Sequence, residues 1–115
     1  MEIKEADILL CEFYFSDLKK SKQRPVLVLK DNLPYNDFIA IPISSKIHNL
    51  HQDELLLENK DFLNGSIPVA SKVMTRKTFV VSKDVVLKKY GTLTQVNFAK
   101  YHGAFCNYFQ CNQNM

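Results

Sequence analysis

The segment that most constrains this chain is Gln23-Arg24-Pro25-Val26-Leu27-Val28-Leu29, an arginine and a proline followed by four apolar β-formers. Pro25 holds its own φ at about −65°, donates no backbone N–H, and drives Arg24 into extended backbone. The strand that follows has no polar alternation, so it is expected to be buried on both faces. Just before it, Lys19, Lys20, Lys22 and Arg24 crowd four positive charges into a short stretch. A rigid strand thus presents a guanidinium at the edge of a basic loop. Such a run standing alone is a solvated turn. Its meaning depends on what the rest of the chain brings to it.

The chain has 115 residues, 46% of them hydrophobic, with no long apolar run, which suits one domain (1–115) with a single core. The composition excludes a disordered or membrane-spanning chain. Residues 1–7 carry charges of both signs and lead straight into an apolar stretch, unlike a secretory leader, so the cytoplasm is the expected location. Cys11, Cys106 and Cys111 are odd in number, lack CxxC spacing and fall on apparent core faces, which argues against a disulfide framework or a zinc site. They are read as small buried hydrophobes. A net charge of +3 would say little if evenly spread, but it is not. Residues 2–17 and 53–61 are mainly acidic, 19–24 carry only positive charge, and 72–89 hold six basic residues against one Asp.

In chain order, residues 7–15 read as a first apolar and aromatic strand, 26–29 as the second, and 38–43 as the third. Pro42 cannot donate a ladder hydrogen bond, so the third strand is either at an edge or bulged there. Residues 46–52 form a polar loop with His48 and His51, and 54–58 a short strand or helical turn. Asn64-Gly65 signals a turn, after which 67–73 and 78–81 read as two more strands. Ser82 can cap a helical turn through Val86, and Gly91 is expected to break the chain before Leu93. Thr94 is a helix N-cap, followed by Phe98, Tyr101, Phe105 and Phe109 at intervals of three or four, an apolar stripe for packing on a sheet. Five or six short strands and one terminal helix, without βαβ alternation, predict a mainly β chain whose antiparallel sheet curls into a small barrel.

This order of features resembles the MazF/PemK family of type II toxins. The family opens on [GA]-D-I-x-L, here Ala6-Asp7-Ile8-Leu9-Leu10, continues with R-P-x-L-V-L, here Arg24-Pro25-Val26-Leu27-Val28-Leu29, and reaches P-I-[ST], here Pro42-Ile43-Ser44. Lys77-Thr78-Phe79-Val80-Val81-Ser82-Lys83 and Lys88-Lys89-Tyr90-Gly91-Thr92-Leu93 are similar to its later K-L-F-T-L-x-K and K-K-I-G-x-L blocks. The resemblance spans residues 6–109. It implies the small Src-homology-like β-barrel with a C-terminal helix of the MazF, PemK and CcdB toxins, a homodimer, and a cognate antitoxin. It also implies cleavage of single-stranded RNA without metal or other cofactor, leaving a 2′,3′-cyclic phosphate and a 5′-hydroxyl. Two of the family's catalytic positions fall on Arg24 and Ser44. Where many members have Thr, Ser44 keeps the hydroxyl but loses the β-branch that stiffens χ1. Met74 and Arg76 stand where many members carry Arg and Asp.

The chemistry suits these residues. Attack of a 2′-hydroxyl on the adjacent phosphorus builds charge on the phosphoryl oxygens and on the departing 5′-oxygen, and a guanidinium offers two such oxygens a planar fork. Arg24 takes that role, and Ser44 donates a further hydrogen bond or aligns the 2′-hydroxyl. Lys19, Lys20, Lys22, Lys72, Arg76 and Lys77 are the expected RNA contacts. Neither Arg24 nor Ser44 is a suitable general base. His48 and His51 lie close in sequence to Ser44, but histidines in polar loops are usually just exposed, and they are left outside the site. Tyr14 and Phe15 are candidates for stacking on bases. The alternative is a homologue that binds RNA or antitoxin without turnover. A gyrase poison on a related fold has no residue here to support it.

Overall fold

The computed structural model describes residues 2–14 and 20–111. Eight strands and one helix follow in the order β1 (Asp7–Tyr14), β2 (Ser21–Leu33), β3 (Asp37–Ser44), β4 (Glu54–Leu57), β5 (Phe62–Gly65), β6 (Ser71–Met74), β7 (Phe79–Ser82), β8 (Val86–Leu93) and α1 (Gln95–Phe109). All the strand pairs are antiparallel, running β4-β6-β3-β2-β1-β8-β5, with β7 also on β3. The sheet curls into a half-barrel closed at one end by α1.

The apolar run after Pro25 behaves as expected: Val26, Leu27, Val28 and Leu29 are all buried. Alternation sends them to two clusters. Leu27 and Leu29 join Ile8, Ile41 and Ile43 beneath Phe98 and Tyr101 of α1. Val26 and Val28 join Leu9, Cys11, Phe38 and Ala40 on the opposite face. A strand without polar alternation thus packs on both sides, the arrangement its composition requires.

Strand β2 begins before the expected strand. Lys22, Gln23 and Arg24 already pair with Phe13, Glu12 and Cys11 of β1, so most of the basic run is ladder. Pro42 is neither at a sheet edge nor in a bulge: β3 is an interior strand, and Pro42 pairs with Val26 in regular register. On one edge of β3, β7 pairs as far as Ala40 and β6 begins at Ile43, leaving a gap where the proline lacks its donor. The 3-10 turn Thr75–Lys77 spans that gap.

Two strands were missed, β5 and β8, and both misreadings come from glycine. Gly65 and Gly91 pair face to face, and a Cβ on Gly91 would lie 2.3 Å from the Asn64 carbonyl oxygen. Gly91 therefore marks close backbone approach inside a strand and does not break the chain. The expected strand over 67–73 contracts to β6. The caps hold: Ser82 accepts the Asp84 N–H at 3.1 Å and Thr94 the Asn97 N–H at 3.2 Å. Of the helical stripe, Phe98 and Tyr101 are buried, Phe105 is half-buried and Phe109 is exposed. Of the cysteines only Cys11 is a buried hydrophobe, its thiol pushed up to about 12 by burial; Cys106 is half-buried and Cys111 exposed near the helix end. Among the described residues, no helix is long and apolar enough to cross a membrane.

Candidate active site

The β2–β3 ladder ends at Val26 and Pro42, and Arg24 and Ser44, each two residues beyond that pair, line one cleft. Ser44 in turn pairs with Lys72 of β6. Ser44 and Lys72, directly opposed, share a face of the sheet, and with Arg24 they form a row of polar side chains along that cleft. The row borders an open cleft of about 610 Å³. Val26, Pro42 and Met74 supply apolar surface, and Phe13 and Phe79, their ring centroids 5.7 Å apart, supply aromatic surface. Lys46, Arg76 and Lys77 bring positive charge, and His51 reaches in from the loop before β4. A smaller recess of about 300 Å³, lined by Pro25, Pro68, Val69 and Tyr90, also touches Arg24 and Ser44.

Arg24 is exposed, and among the described residues its guanidinium makes no ion pair or hydrogen bond. Its fork is thus available for an anion. Ser44 Oγ accepts the Lys46 N–H at 3.1 Å. That bond directs the hydroxyl despite the missing β-branch and leaves its own proton to donate.

The expected cations fall into three groups. Arg76 and Lys77 line the cleft, although Arg76 is partly engaged: its guanidinium lies 3.9 Å from Asp53 and its N–H donates to the same carboxylate at 3.3 Å. Lys20 and Lys22 are exposed at the start of β2 but do not line the cleft, and Lys19 lies outside the described residues. Lys72 departs from the expectation of a solvent-facing RNA contact. Its side chain is only 9% exposed, with Nζ 2.8 Å from Glu54 Oε1 and donating to the Asn49 carbonyl at 3.2 Å. The charge is neutralised in place, because β4 pairs with β6 and buries the carboxylate beside it. Burial would raise the Glu54 carboxyl, but the His51 N–H and the Lys72 ammonium outweigh it and hold it below the usual carboxylate range.

Of the residues lining the cleft, Lys46 and Phe13 were not singled out from the sequence, and His51 was weighed there and left outside the site. The stacking candidates are placed otherwise: Tyr14 is exposed away from the cleft, and Phe15 lies outside the described residues. His48 does not line the cleft, so the two loop histidines differ. A signal for His51 was present in His51-Gln52-Asp53-Glu54, a tight turn in which a carboxylate folds back on the residue three before it. Among the described residues, no cluster of three His, Cys, Asp or Glu side chains is placed to hold a metal ion.

The motifs that build this row are not isolated. The model of the PemK-like, MazF-like toxins of type II toxin-antitoxin systems matches residues 4–109. The chain belongs to that family. The fold agrees with solved toxin structures at low sequence identity. An endoribonuclease in complex with its cognate antitoxin, from a mycobacterial species, superposes with a TM-score of 0.69 at 13% identity, covering 95% of this chain and 96% of that one. The Mycobacterium tuberculosis toxin MazF-mt6 gives 0.66 at 20% identity, covering 90% and 96%. No curated protein sequence matches this chain. At these identities the superpositions speak for the MazF-like fold alone.

Proposed function

We propose that this PemK-like, MazF-like chain is a sequence-selective endoribonuclease toxin that cuts single-stranded RNA without a metal ion. The observation that carries this is the Arg24–Ser44 row: an unpaired guanidinium and a directed hydroxyl, on neighbouring strands and lining one open basic cleft. In the reaction the 2′-oxygen bonds to phosphorus and the P–O5′ bond breaks, leaving a 2′,3′-cyclic phosphate and a 5′-hydroxyl. Arg24 binds two phosphoryl oxygens as they gain charge, and Ser44 donates to a third acceptor or aligns the nucleophile. Phe13 and Phe79 are suited to stack on a base beside the phosphate. The chain acts as a single domain in the cytoplasm, as a homodimer, held silent by a cognate antitoxin whose acidic segment competes with RNA for the cleft. The antitoxin complex of the similar mycobacterial endoribonuclease supports that partner.

The test is to incubate the purified protein with a long RNA in EDTA. Fragments ending in 2′,3′-cyclic phosphate are expected, and Arg24→Ala lowers the rate by about 10²- to 10³-fold, the cost of one preorganised donor. Because Arg24 is exposed, the variant should unfold at the wild-type midpoint. Intact RNA across many sequences, or cutting only with added metal, overturns the proposal and leaves a binding module.

A further inference from the structure

We infer that His51 is the proton acceptor for the attacking 2′-hydroxyl, an assignment that rests on the endoribonuclease reading above. Arg24 and Ser44 supply charge stabilisation and alignment, but neither can take a proton near neutral pH. Imidazole can, and His51 is the histidine that shares the cleft with them.

The loop that carries His51 is held on a buried anchor. Glu54 Oε1 accepts the His51 N–H at 2.9 Å, and the Glu54 N–H donates to the His51 carbonyl at 3.0 Å. Two residues before His51 in the chain, the Asn49 carbonyl accepts from the same lysine that pairs with Glu54. Lys72 also pairs in register with Ser44. One buried ion pair therefore ties the backbone of His51 to the strand beside Ser44, and it leaves the imidazole exposed and without a hydrogen bond or ion pair of its own among the described residues, while its charge helps to lower the Glu54 carboxyl.

The other titratable groups around His51 are unsuited to the task. Arg24, Lys46, Arg76 and Lys77 enter the cleft as cations. The two carboxylates are occupied, Asp53 by Arg76 and Glu54 by Lys72. Tyr108 of α1 lies beyond His51 in an adjoining hollow. In the reaction the 2′-hydroxyl proton moves to the imidazole as the 2′-oxygen bonds to phosphorus. The P–O5′ bonding pair leaves with O5′, which takes a proton from solvent, and the imidazolium returns its proton to solvent. No oxidant, reductant or further reactant enters.

The experiment compares wild type, His51→Ala, His51→Gln and His48→Ala under single-turnover conditions across pH, with RNA binding measured on a 2′-O-methyl substrate. Both His51 variants should lose about 10²- to 10⁴-fold in rate, the usual contribution of a positioned acid or base. They should also lose the near-neutral limb of the rate profile, bind the methylated RNA as wild type does, and keep the wild-type unfolding midpoint. Added imidazole should restore cutting to His51→Ala, and His48→Ala should match wild type. A His51→Ala protein that keeps the wild-type rate and pH limb overturns the assignment while the nuclease reading stands. So does one that loses rate only in step with RNA affinity. A wild type that cuts no RNA overturns the nuclease reading itself.

Discussion

Asp7 and Glu54 are both buried carboxylates paired with a lysine, and they serve different parts of the molecule. Asp7 joins β1 to β8: Lys89 Nζ lies 2.9 Å from Oδ2, Thr92 Oγ1 donates to Oδ1 at 2.8 Å, and the Lys4 N–H donates to Oδ2 at 3.0 Å. Lys89 keeps 27% of its side chain exposed, so its ammonium remains partly hydrated. Glu54 joins β6 to the loop that carries His51, and its lysine is nearly as buried as the carboxylate. The first pair is part of the scaffold, in a motif where strand meets strand. The second holds the loop whose His51 lines the cleft, and its lysine also donates to the Asn49 carbonyl of that loop. A buried charge holds structure in both, but only at Glu54 does it also position the candidate chemistry.

The largest effect should separate the two readings of Lys72. Lys72→Ala leaves the Glu54 carboxylate buried without its partner, which typically costs about 3–5 kcal/mol. Urea unfolding should show that loss, and Lys72→Met with Glu54→Gln should recover most of it. Were Lys72 instead a phosphate ligand, stability would hold and the salt dependence of RNA binding would flatten by about 0.7 in log K against log salt.

Asp7→Asn should cost less, about 1–3 kcal/mol, because Lys89 can turn to solvent and the amide retains an acceptor for Thr92. Cleavage per folded molecule should be unchanged, since neither Asp7 nor Lys89 lines the cleft or the recess beside Arg24 and Ser44. A drop in that specific rate would erase the distinction between the two pairs.

The smallest effect is a pH dependence. The folded Glu54 carboxyl lies below its ordinary value, so it contributes stability above the unfolded carboxylate range, and that contribution is lost as pH falls through the folded value. Acidification should therefore speed amide exchange in 45–53 before the sheet unfolds, and Glu54→Gln should remove that step. Exchange in the loop that tracks global unfolding at every pH would show that Glu54 does not hold it separately.

Much of the candidate site was legible because it lies in contiguous motifs. Arg24 precedes a proline that sets its backbone, and Ser44 ends an apolar strand, so each could be singled out by its neighbours. The partnership of Lys72 with Glu54 was not legible. It links residues far apart in the chain and exists because β4 and β6 meet in a register that aligns Lys72 with Leu56 and Met74 with Glu54. The same carboxylate holds the backbone of His51, which lines the cleft, whereas His48 does not line it. Charge clustering in sequence marked 72–77 as a basic surface, whereas two of its three cations are already committed to carboxylates.

What the sequence determined by itself was whatever repeats at a short fixed period or depends on adjacent residues. The two-faced burial of Val26–Leu29 followed from missing alternation, the α1 cap from Thr94, and the extended Arg24 from Pro25. The tertiary structure decided which lysine is a surface charge and which a buried one, whether Gly91 breaks or threads a strand, and which histidine joins Arg24 and Ser44. Those outcomes turn on solvent exclusion and backbone approach, and both are set only when distant strands pair.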